Sequence, residues 1–363
     1  MKILAISVSG IGNTILFSPV LRSLRKRFPG VRIDLLTWSR AMAVPVEDSG
    51  LVDQCLVMPP SFSGKLSLLW RLRRECYDSS VIAFPSNKMQ FHVLSFLIGA
   101  RKRFSHRYPG FHVRTLGFLE TDTVCAVEGL HDVEQNMKLL PLFGIEPGGE
   151  ERGLVFQLGE SEKAFARQWR EEHKVTGHPL IGVHPGAGGA LADWQGSAKR
   201  WPLDRFVEVC AKLIEQQGGS VLVFGGSEER ALKEQLITLV SKPGRIWSVD
   251  AGLKETAALI SGCDLMISND SGLMHVAVAT GVPTLGIFGP TRASRTAPYG
   301  PANRYVQGTR DESELLGYPF RCTSSKIDRA MAQGAFEGVS ADSVLDVARE
   351  MIQSSQRSGG TAN

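Results

Sequence analysis

An apolar run stops at three small polar residues and a glycine in Ile267-Ser268-Asn269-Asp270-Ser271-Gly272-Leu273-Met274-His275. The pattern reads as a strand that ends and a helix that begins, with Ser271 and Gly272 presenting backbone N–H groups at the helix N-terminus. Such a terminus carries orphan donors and a partial positive charge, so it suits the diphosphate of a nucleotide. Asp270 would not contact a phosphate favourably; it can cap the helix, accept a sugar hydroxyl or fix the loop. His275, one turn in, could donate to a phosphate oxygen. Plain capping by Asp270 and Ser271, and a satisfied core position for His275, are the alternatives.

Two further runs belong with it. His184-Pro185-Gly186-Ala187-Gly188-Gly189 is a glycine-rich loop, followed by Lys199-Arg200-Trp201-Pro202. Glycines let backbone approach a phosphate closely, and Lys199 supplies a point charge to neutralise it; a merely flexible loop with an exposed Lys is the alternative. Gly225-Gly226-Ser227-Glu228 places Glu228 at a helix start, where it could accept ribose or sugar hydroxyls or favour the helix dipole. Ile287-Phe288-Gly289-Pro290-Thr291 ends the next strand in another small-residue turn, so the segment from Ser268 to Thr291 is read as the nucleotide site.

The elements that must hold these loops alternate regularly. Lys2 to Ser9 is an apolar run ending at Gly10-Ile11-Gly12, and Ile15, Leu16, Val20, Leu21, Leu24 and Phe28 follow at helical spacing. Val31–Thr37 reads as the next strand, completing a βαβ unit that requires a parallel sheet. Strands are expected near Gln54–Met58 and Ser80–Phe84, with helices near Leu66–Cys76, Met89–Ile98 and Val133–Leu142. From Pro179 the pattern restarts: strands Leu180–His184, Ser220–Gly225, Ile246–Val249, Leu265–Ser268 and Thr284–Phe288 alternate with helices Leu203–Gln216, Glu228–Val240, Lys254–Gly262 and Gly272–Thr280. Two Rossmann-like, doubly wound α/β halves facing one another follow, with ligands expected beyond the C-terminal strand ends in the cleft between them. The expected domains are residues 1–172 and 178–335, then a C-terminal helix over 336–354 packing back on the first domain and a disordered tail over 355–363.

Composition agrees with a globular two-domain chain: 363 residues, 43% hydrophobic and 21% charged. The net charge of +4 is uneven, with 18 Lys and Arg against 13 Asp and Glu in residues 1–150. The excess gathers in Arg22–Arg27, Arg71–Arg74 and Arg101–Arg107, patches suited to phosphates, to an anionic surface or simply to solvent. The six cysteines, Cys55, Cys76, Cys125, Cys210, Cys263 and Cys322, are too scattered for a zinc site or a disulfide scaffold and are read as reduced core thiols in a cytoplasmic protein. No run of apolar residues is long enough to span a bilayer, so membrane contact would be peripheral. The basic residues lack interleaved aromatics and any nucleic-acid-binding motif, which argues against a nucleic-acid partner.

Taken together, Gly10-Ile11-Gly12-Asn13-Thr14-Ile15-Leu16 with Ser18-Pro19, His184-Pro185-Gly186 with Lys199-Arg200-Trp201-Pro202, and above all Asn269-Asp270-Ser271-Gly272-Leu273-Met274-His275 resemble glycosyltransferase family 9, the ADP-heptose:lipopolysaccharide heptosyltransferases. The resemblance implies a GT-B architecture, with acceptor on the N-terminal domain and a nucleotide-sugar donor, expected to be ADP-linked, on the C-terminal one. Lys199, Ser271, Gly272 and His275 would face the diphosphate, Gly186 and Ala187 would offer loop N–H groups, Glu228 would hold ribose, Ala251 and Gly252 would border the base, and Asp270 would orient the donor sugar. Acceptor contacts are expected from Gly10, Gly12, Asn13, Arg101 and Arg103, with Asn13, Lys199 and Asp270 as the catalytic set. The acceptor would be a lipopolysaccharide core or related glycan presented at the cytoplasmic face of the inner membrane. Inverting transfer in this fold needs no metal and no cofactor beyond the donor.

One position departs from the family. Members with established transferase chemistry usually carry Asp after the Gly-x-Gly turn as general base, where this chain has Asn13, and an amide cannot take a proton at neutral pH. Another carboxylate could serve, with Asp34 remote; Asn13 could position the acceptor while water or substrate takes the proton; or the protein could bind donor and glycan without turnover. A nicotinamide-dependent oxidoreductase is the rival enzyme class, since Asp34 lies about 20 residues after the glycine turn. That fingerprint fails at its third glycine, which is Ile15.

Overall fold

The computed structural model describes residues 1–146, 152–188, 198–309 and 334–359. The chain divides into two compact units, residues 1–157 and, among the described residues, everything from Leu158 onward.

The first unit runs β1 (Lys2–Ser7), α1 (Ile11–Arg27), β2 (Arg32–Thr37), α2 (Arg40–Ala43), β3 (Gln54–Val57), α3 (Phe62–Arg74), β4 (Ser79–Ile82), α4 (Met89–Ile98), β5 (Lys102–Arg107), β6 (Asp122–Cys125) and α5 (Asp132–Met137). The six strands form one parallel sheet in the order β3-β2-β1-β4-β5-β6. Five of the six β1 residues are buried, as expected of a central strand covered by helices on both faces. Pro19 sits inside α1 and removes the N–H that Ile15 O would accept; the Ser18 hydroxyl donates to that carbonyl instead, at 2.7 Å. Arg25, Lys26 and Arg27 occupy the last turn of α1, where they offset its dipole. Strand order reverses between β1 and β4, so the crevice of this sheet opens beyond Ser7 and Ile82.

The second unit opens with α6 (Glu160–Glu172) and continues β7 (Leu180–His184), α7 (Leu203–Gln217), β8 (Ser220–Val223), α8 (Arg230–Val240), β9 (Ile246–Ser248), α9 (Leu253–Ile260), β10 (Leu265–Asn269), α10 (Gly272–Ala279), β11 (Thr284–Phe288), α11 (Ala293–Thr296), β12 (Arg304–Gln307) and α12 (Ala341–Gly359). Its sheet is also parallel, in the order β12-β11-β10-β7-β8-β9, and reverses between β7 and β10. Gly218, at φ +65°, closes α7 in the left-handed conformation that residues with a Cβ resist. Trp201, Phe206, Val209 and Leu213 pack under the sheet with Ile181, Val221 and Leu265.

Several expectations are revised. Strands β5, β6 and β12 were hidden by polar sequence: β5 reads Lys-Arg-Phe-Ser-His-Arg, yet Ser105 and His106 are fully buried. The expected Val133–Leu142 helix stops at Met137, and a 3-10 turn with Pro141 near its start takes over. The first unit ends at Gln157 instead of residue 172, because α6 packs on α9 and groups with the second sheet. The terminal helix, expected to pack back on the first domain, belongs to the second unit: Val344, Leu345, Ala348 and Ile352 join its core, beside Phe206 and Leu213. It also runs through Ser355 to Gly359, where a tail was expected; the Ser355 hydroxyl donates to Met351 O at 3.1 Å. Cys76 and Cys125 are exposed, not core; Cys55 is half-buried and only Cys210 and Cys263 are buried. Gly189, Cys322 and residues 360–363 lie outside the described residues.

Candidate functional site

In the second unit the reversal of strand order brings the ends of β7 and β10 together, with Ser268 paired to His184. Asn269, the last residue of β10, is fully buried and binds its neighbours. Its Nδ2 donates to the carbonyls of Pro185 (2.9 Å) and Gly186 (3.0 Å), and its Oδ1 accepts the Trp201 N–H at 3.2 Å. One side chain therefore fixes both the glycine-rich loop and the segment that carries Lys199. The Lys199 ammonium donates to Asp270 Oδ2 at 2.9 Å, with the lysine side chain 32% exposed and the aspartate 10%. Burial pushes the Asp270 carboxyl up, but the adjacent Lys199 charge and hydrogen bond, then His275 and Thr291, outweigh it and hold the group below the usual carboxylate range. Thr296 donates to the other oxygen at 3.3 Å.

Ser271 caps α10 by accepting the Met274 N–H at 3.4 Å. Its hydroxyl also lies 2.9 Å from His184 Nδ1 and 3.1 Å from the Ser268 hydroxyl. His184 Nε2 lies 3.0 Å from Glu229 Oε2. Glu229 is buried and saturated: Oε2 also accepts the Gly226 N–H (3.1 Å), and Oε1 accepts those of Ala187 (3.1 Å) and Gly188 (3.2 Å). Burial would raise this carboxyl; the His184 hydrogen bond and the backbone donors reverse the effect and bring it down to about 2. A side chain at Gly186 would place its Cβ 1.8 Å from Glu229 Oε1, so the glycine is required by that carboxylate.

Lys199, Asp270, Ser271, Gly272, His275, Gly186 and Ala187 thus come from three loops at one strand edge, and His275 is buried one turn into α10. Two expectations change in detail. The Ala187 N–H is committed to Glu229, and Glu228 is exposed while its neighbour Glu229 does the organising. Ala251 and Gly252 are exposed at the start of α9, beyond β9 on the same edge. Glu229, His184 and Asn269 were missed as site residues. Glu229 had a signal, the capping-box spacing of an acid three residues after Gly226; Asn269 had only its place at a strand end.

In the first unit Gly10, Gly12 and Asn13 stand half-buried at the corresponding reversal point. Gly10 is the N-cap of α1, and a Cβ there would lie 3.4 Å from Asn13 Oδ1. Asn13 Nδ2 reaches Phe84 O across the β1–β4 junction at 3.5 Å. Arg101 and Arg103 are not brought to this place. Lys102 pairs with Ser79, which pairs with Ile3, so they sit at the N-terminal edge of the sheet, four residues below Ser7, or roughly 13 Å. Asp34 is no base for Asn13's partner: it is fully buried in mid-strand, accepts the Tyr77 hydroxyl at 2.6 Å and pairs with Arg32 at 2.8 Å. The same placement removes it from the strand end where a ribose would be bound, and with it the oxidoreductase reading.

The sequence profile of glycosyltransferase family 9 (heptosyltransferase) matches residues 66–320. Lipopolysaccharide heptosyltransferase 2 of Escherichia coli K12 is 25% identical over 324 residues, 85% of this chain and 88% of that protein. The structure of E. coli ADP-heptose lps heptosyltransferase II superposes with a TM-score of 0.73 at 21% identity, over 98% of this chain and all of that one. E. coli heptosyltransferase WaaC with ADP-2-deoxy-2-fluoro heptose gives 0.67 at 14%, over 96% and 99%. Likeness over nearly the whole chain gives the two parallel-sheet units the GT-B fold class.

Proposed function

Because the chain belongs to glycosyltransferase family 9, we propose that it transfers a heptose from an ADP-linked donor to a lipopolysaccharide core acceptor. The observation that carries the reading is the Lys199–Asp270 pair at 2.9 Å beside the Ser271-capped start of α10. In this reading the α10 N-terminus and Lys199 receive the diphosphate, and they stabilise the charge that builds as the sugar–phosphate bond breaks. Asp270, kept ionised beside Lys199, accepts hydroxyls of the heptose and orients its anomeric carbon. Attack by the acceptor oxygen from the opposite side inverts that centre. Charge balance rests on the helix and Lys199, so transfer proceeds without a divalent metal and survives chelation by EDTA. Glu229 and His184 hold the loops still and do not touch the sugar.

Asn13 positions the acceptor hydroxyl through its amide, and the proton leaves to water or to substrate. Its amide leaves a second reading to test, a homologue that binds donor without turnover. A transfer assay with ADP-heptose separates the two. Wild-type turnover with Asn13→Asp within tenfold supports the first; donor binding by both with transfer by Asn13→Asp alone supports the second. ADP should raise the melting temperature and NADH should not, and the reverse result removes the transferase reading altogether. The enzyme works at the cytoplasmic face of the membrane that presents its glycolipid, by peripheral contact; among the described residues no helix is long and apolar enough to cross a bilayer.

A further inference from the structure

Helices α3 and α4 lie side by side on one face of the first sheet, and each buries one side. Leu68 and Leu72 of α3 and Phe91, Leu94 and Ile98 of α4 enter a common core with residues of β1, β2 and β4. The opposite sides are also apolar. Phe62, Leu66 and Trp70 are 77%, 52% and 62% exposed and stand at i, i+4 and i+8, one stripe of a helix. Met89, Phe96 and Leu97 continue the apolar surface on α4 at 54%, 48% and 45%. A solvent-facing helix side is normally polar, and an apolar patch of this kind marks a contact surface.

Cations gather where the two helices end, at Arg71, Arg73 and Arg74 and at Arg101, Lys102 and Arg103, while Phe62–Arg74 and Met89–Ile98 contain no Asp or Glu. The fold, unlike the sequence reading of these patches, stacks two of them on aromatic rings. The Arg73 guanidinium donates to Leu97 O at 3.0 Å and bridges the helices, Arg74 lies 4.4 Å over the Trp70 ring, and Arg103 lies 5.6 Å over that of Phe96. Exposed aromatic and aliphatic side chains rimmed by guanidinium groups, with the acids at the basic edge already paired, Glu75 to Lys2 and Arg32 and Asp78 to Arg101 at 3.8 Å, are the composition of a face that lies in a lipid interface.

We propose that the outer face of α3 and α4 docks on an anionic lipid bilayer, with Phe62, Leu66 and Trp70 at headgroup depth and Arg71 and Arg74 against lipid phosphates. This gives the basic edge at Arg101 and Arg103 a membrane role in place of the acceptor contacts expected from sequence. It requires neither nucleotide nor turnover, so it stands apart from the donor-site assignment.

Cosedimentation of the full chain with vesicles of phosphatidylglycerol and phosphatidylcholine in equal parts, against phosphatidylcholine alone, tests it. The wild type pellets with the mixed vesicles and far less with the neutral ones. Leu66→Ser with Trp70→Ser lowers partitioning at least ~tenfold, since two exposed side chains lose their transfer from water. Arg71→Glu with Arg74→Glu lowers it by about fivefold or more per residue at low salt. Both doubles keep the wild-type melting temperature and ADP response; should the apolar double melt early, Phe62→Ser and the charge double carry the test. The proposal is overturned if the wild type ignores both vesicles or if the doubles partition like it. It also falls if the face holds a dimer that Trp70→Ser dissolves while vesicles have no effect.

Discussion

Replacing Glu229 by Gln tests the claim that this carboxylate, and not its exposed neighbour Glu228, organises the donor loops. Each Glu229 oxygen accepts two hydrogen bonds, Oε1 from the Ala187 and Gly188 N–H groups and Oε2 from Gly226 N–H and His184 Nε2. A glutamine keeps one oxygen and turns an NH2 group toward two donors that then have nothing to donate to. At about 1–3 kcal/mol for each buried group left unsatisfied, the loss is about 4 kcal/mol. Linkage gives a similar figure. The carboxyl falls from its ordinary 4.5 to about 2 on folding, worth about 3 kcal/mol near neutral pH. Because the folded value is the lower one, this stability is fully present above pH 4.5 and is lost as pH falls toward 2, where the unfolded chain has already taken its proton. Glu229→Gln should therefore melt roughly 10 °C below wild type at neutral pH, and the gap should close on acidification through that window. ADP affinity should drop by about tenfold or more as the 186–188 loop loosens. Glu228→Gln should stay within about 0.5 kcal/mol of wild type. An unchanged melt for Glu229→Gln, or a gap that persists below pH 2, would show that the Glu229 carboxylate does not hold these loops.

The remaining predictions concern the same loops and one buried histidine. Gly186→Ala should cost more than ~2 kcal/mol, since its Cβ would lie 1.8 Å from Glu229 Oε1; in a Glu229→Ala background that cost should largely vanish, and simple additivity of the two would contradict the contact. Lys199→Ala should weaken ADP binding, read by titration calorimetry, by about tenfold to a hundredfold through loss of a charge-assisted contact; equal affinity would remove Lys199 from the site. His106 is fully buried with Nε2 2.8 Å from Gln135 O, and burial takes it from 6.5 down to about 4. Its folded value is the lower, so wild-type stability should fall as pH drops from 6.5 toward 4, by up to about 3 kcal/mol. Denaturant titrations of His106→Gln should show a flatter dependence over that range, and an identical slope would argue that His106 is protonated in the fold.

Much of the architecture was legible because parallel strands and their helices write strong local signals. Met89–Ile98, Leu180–His184 and Thr284–Phe288 fall where apolar runs and flanking breakers put them. Strands β5, β6 and β12 were illegible for the opposite reason: their residues are polar, and Ser105 and His106 are buried only because neighbouring elements cover them. The runs around Lys199, Asp270 and Ser271 suggested an anion site, since a polar tripeptide before a helix and glycines after a strand leave backbone N–H groups open, although plain capping fits the same pattern. No local pattern could say that Asn269 would tie three segments together, or that Glu229 rather than Glu228 would turn inward. Those depend on the strand order β10-β7-β8, which places side chains from positions 184, 229 and 269 within one hydrogen-bonded group. Sequence likewise counted Arg101 and Arg103 as cations but could not give their place, because which end of a sheet a residue occupies follows from strand pairing. The local pattern was enough to place the Ser271 cap at the start of a helix; which loops meet there followed from strand order, since hydrogen bonds act over about 3 Å while the chain separates their owners by dozens of residues.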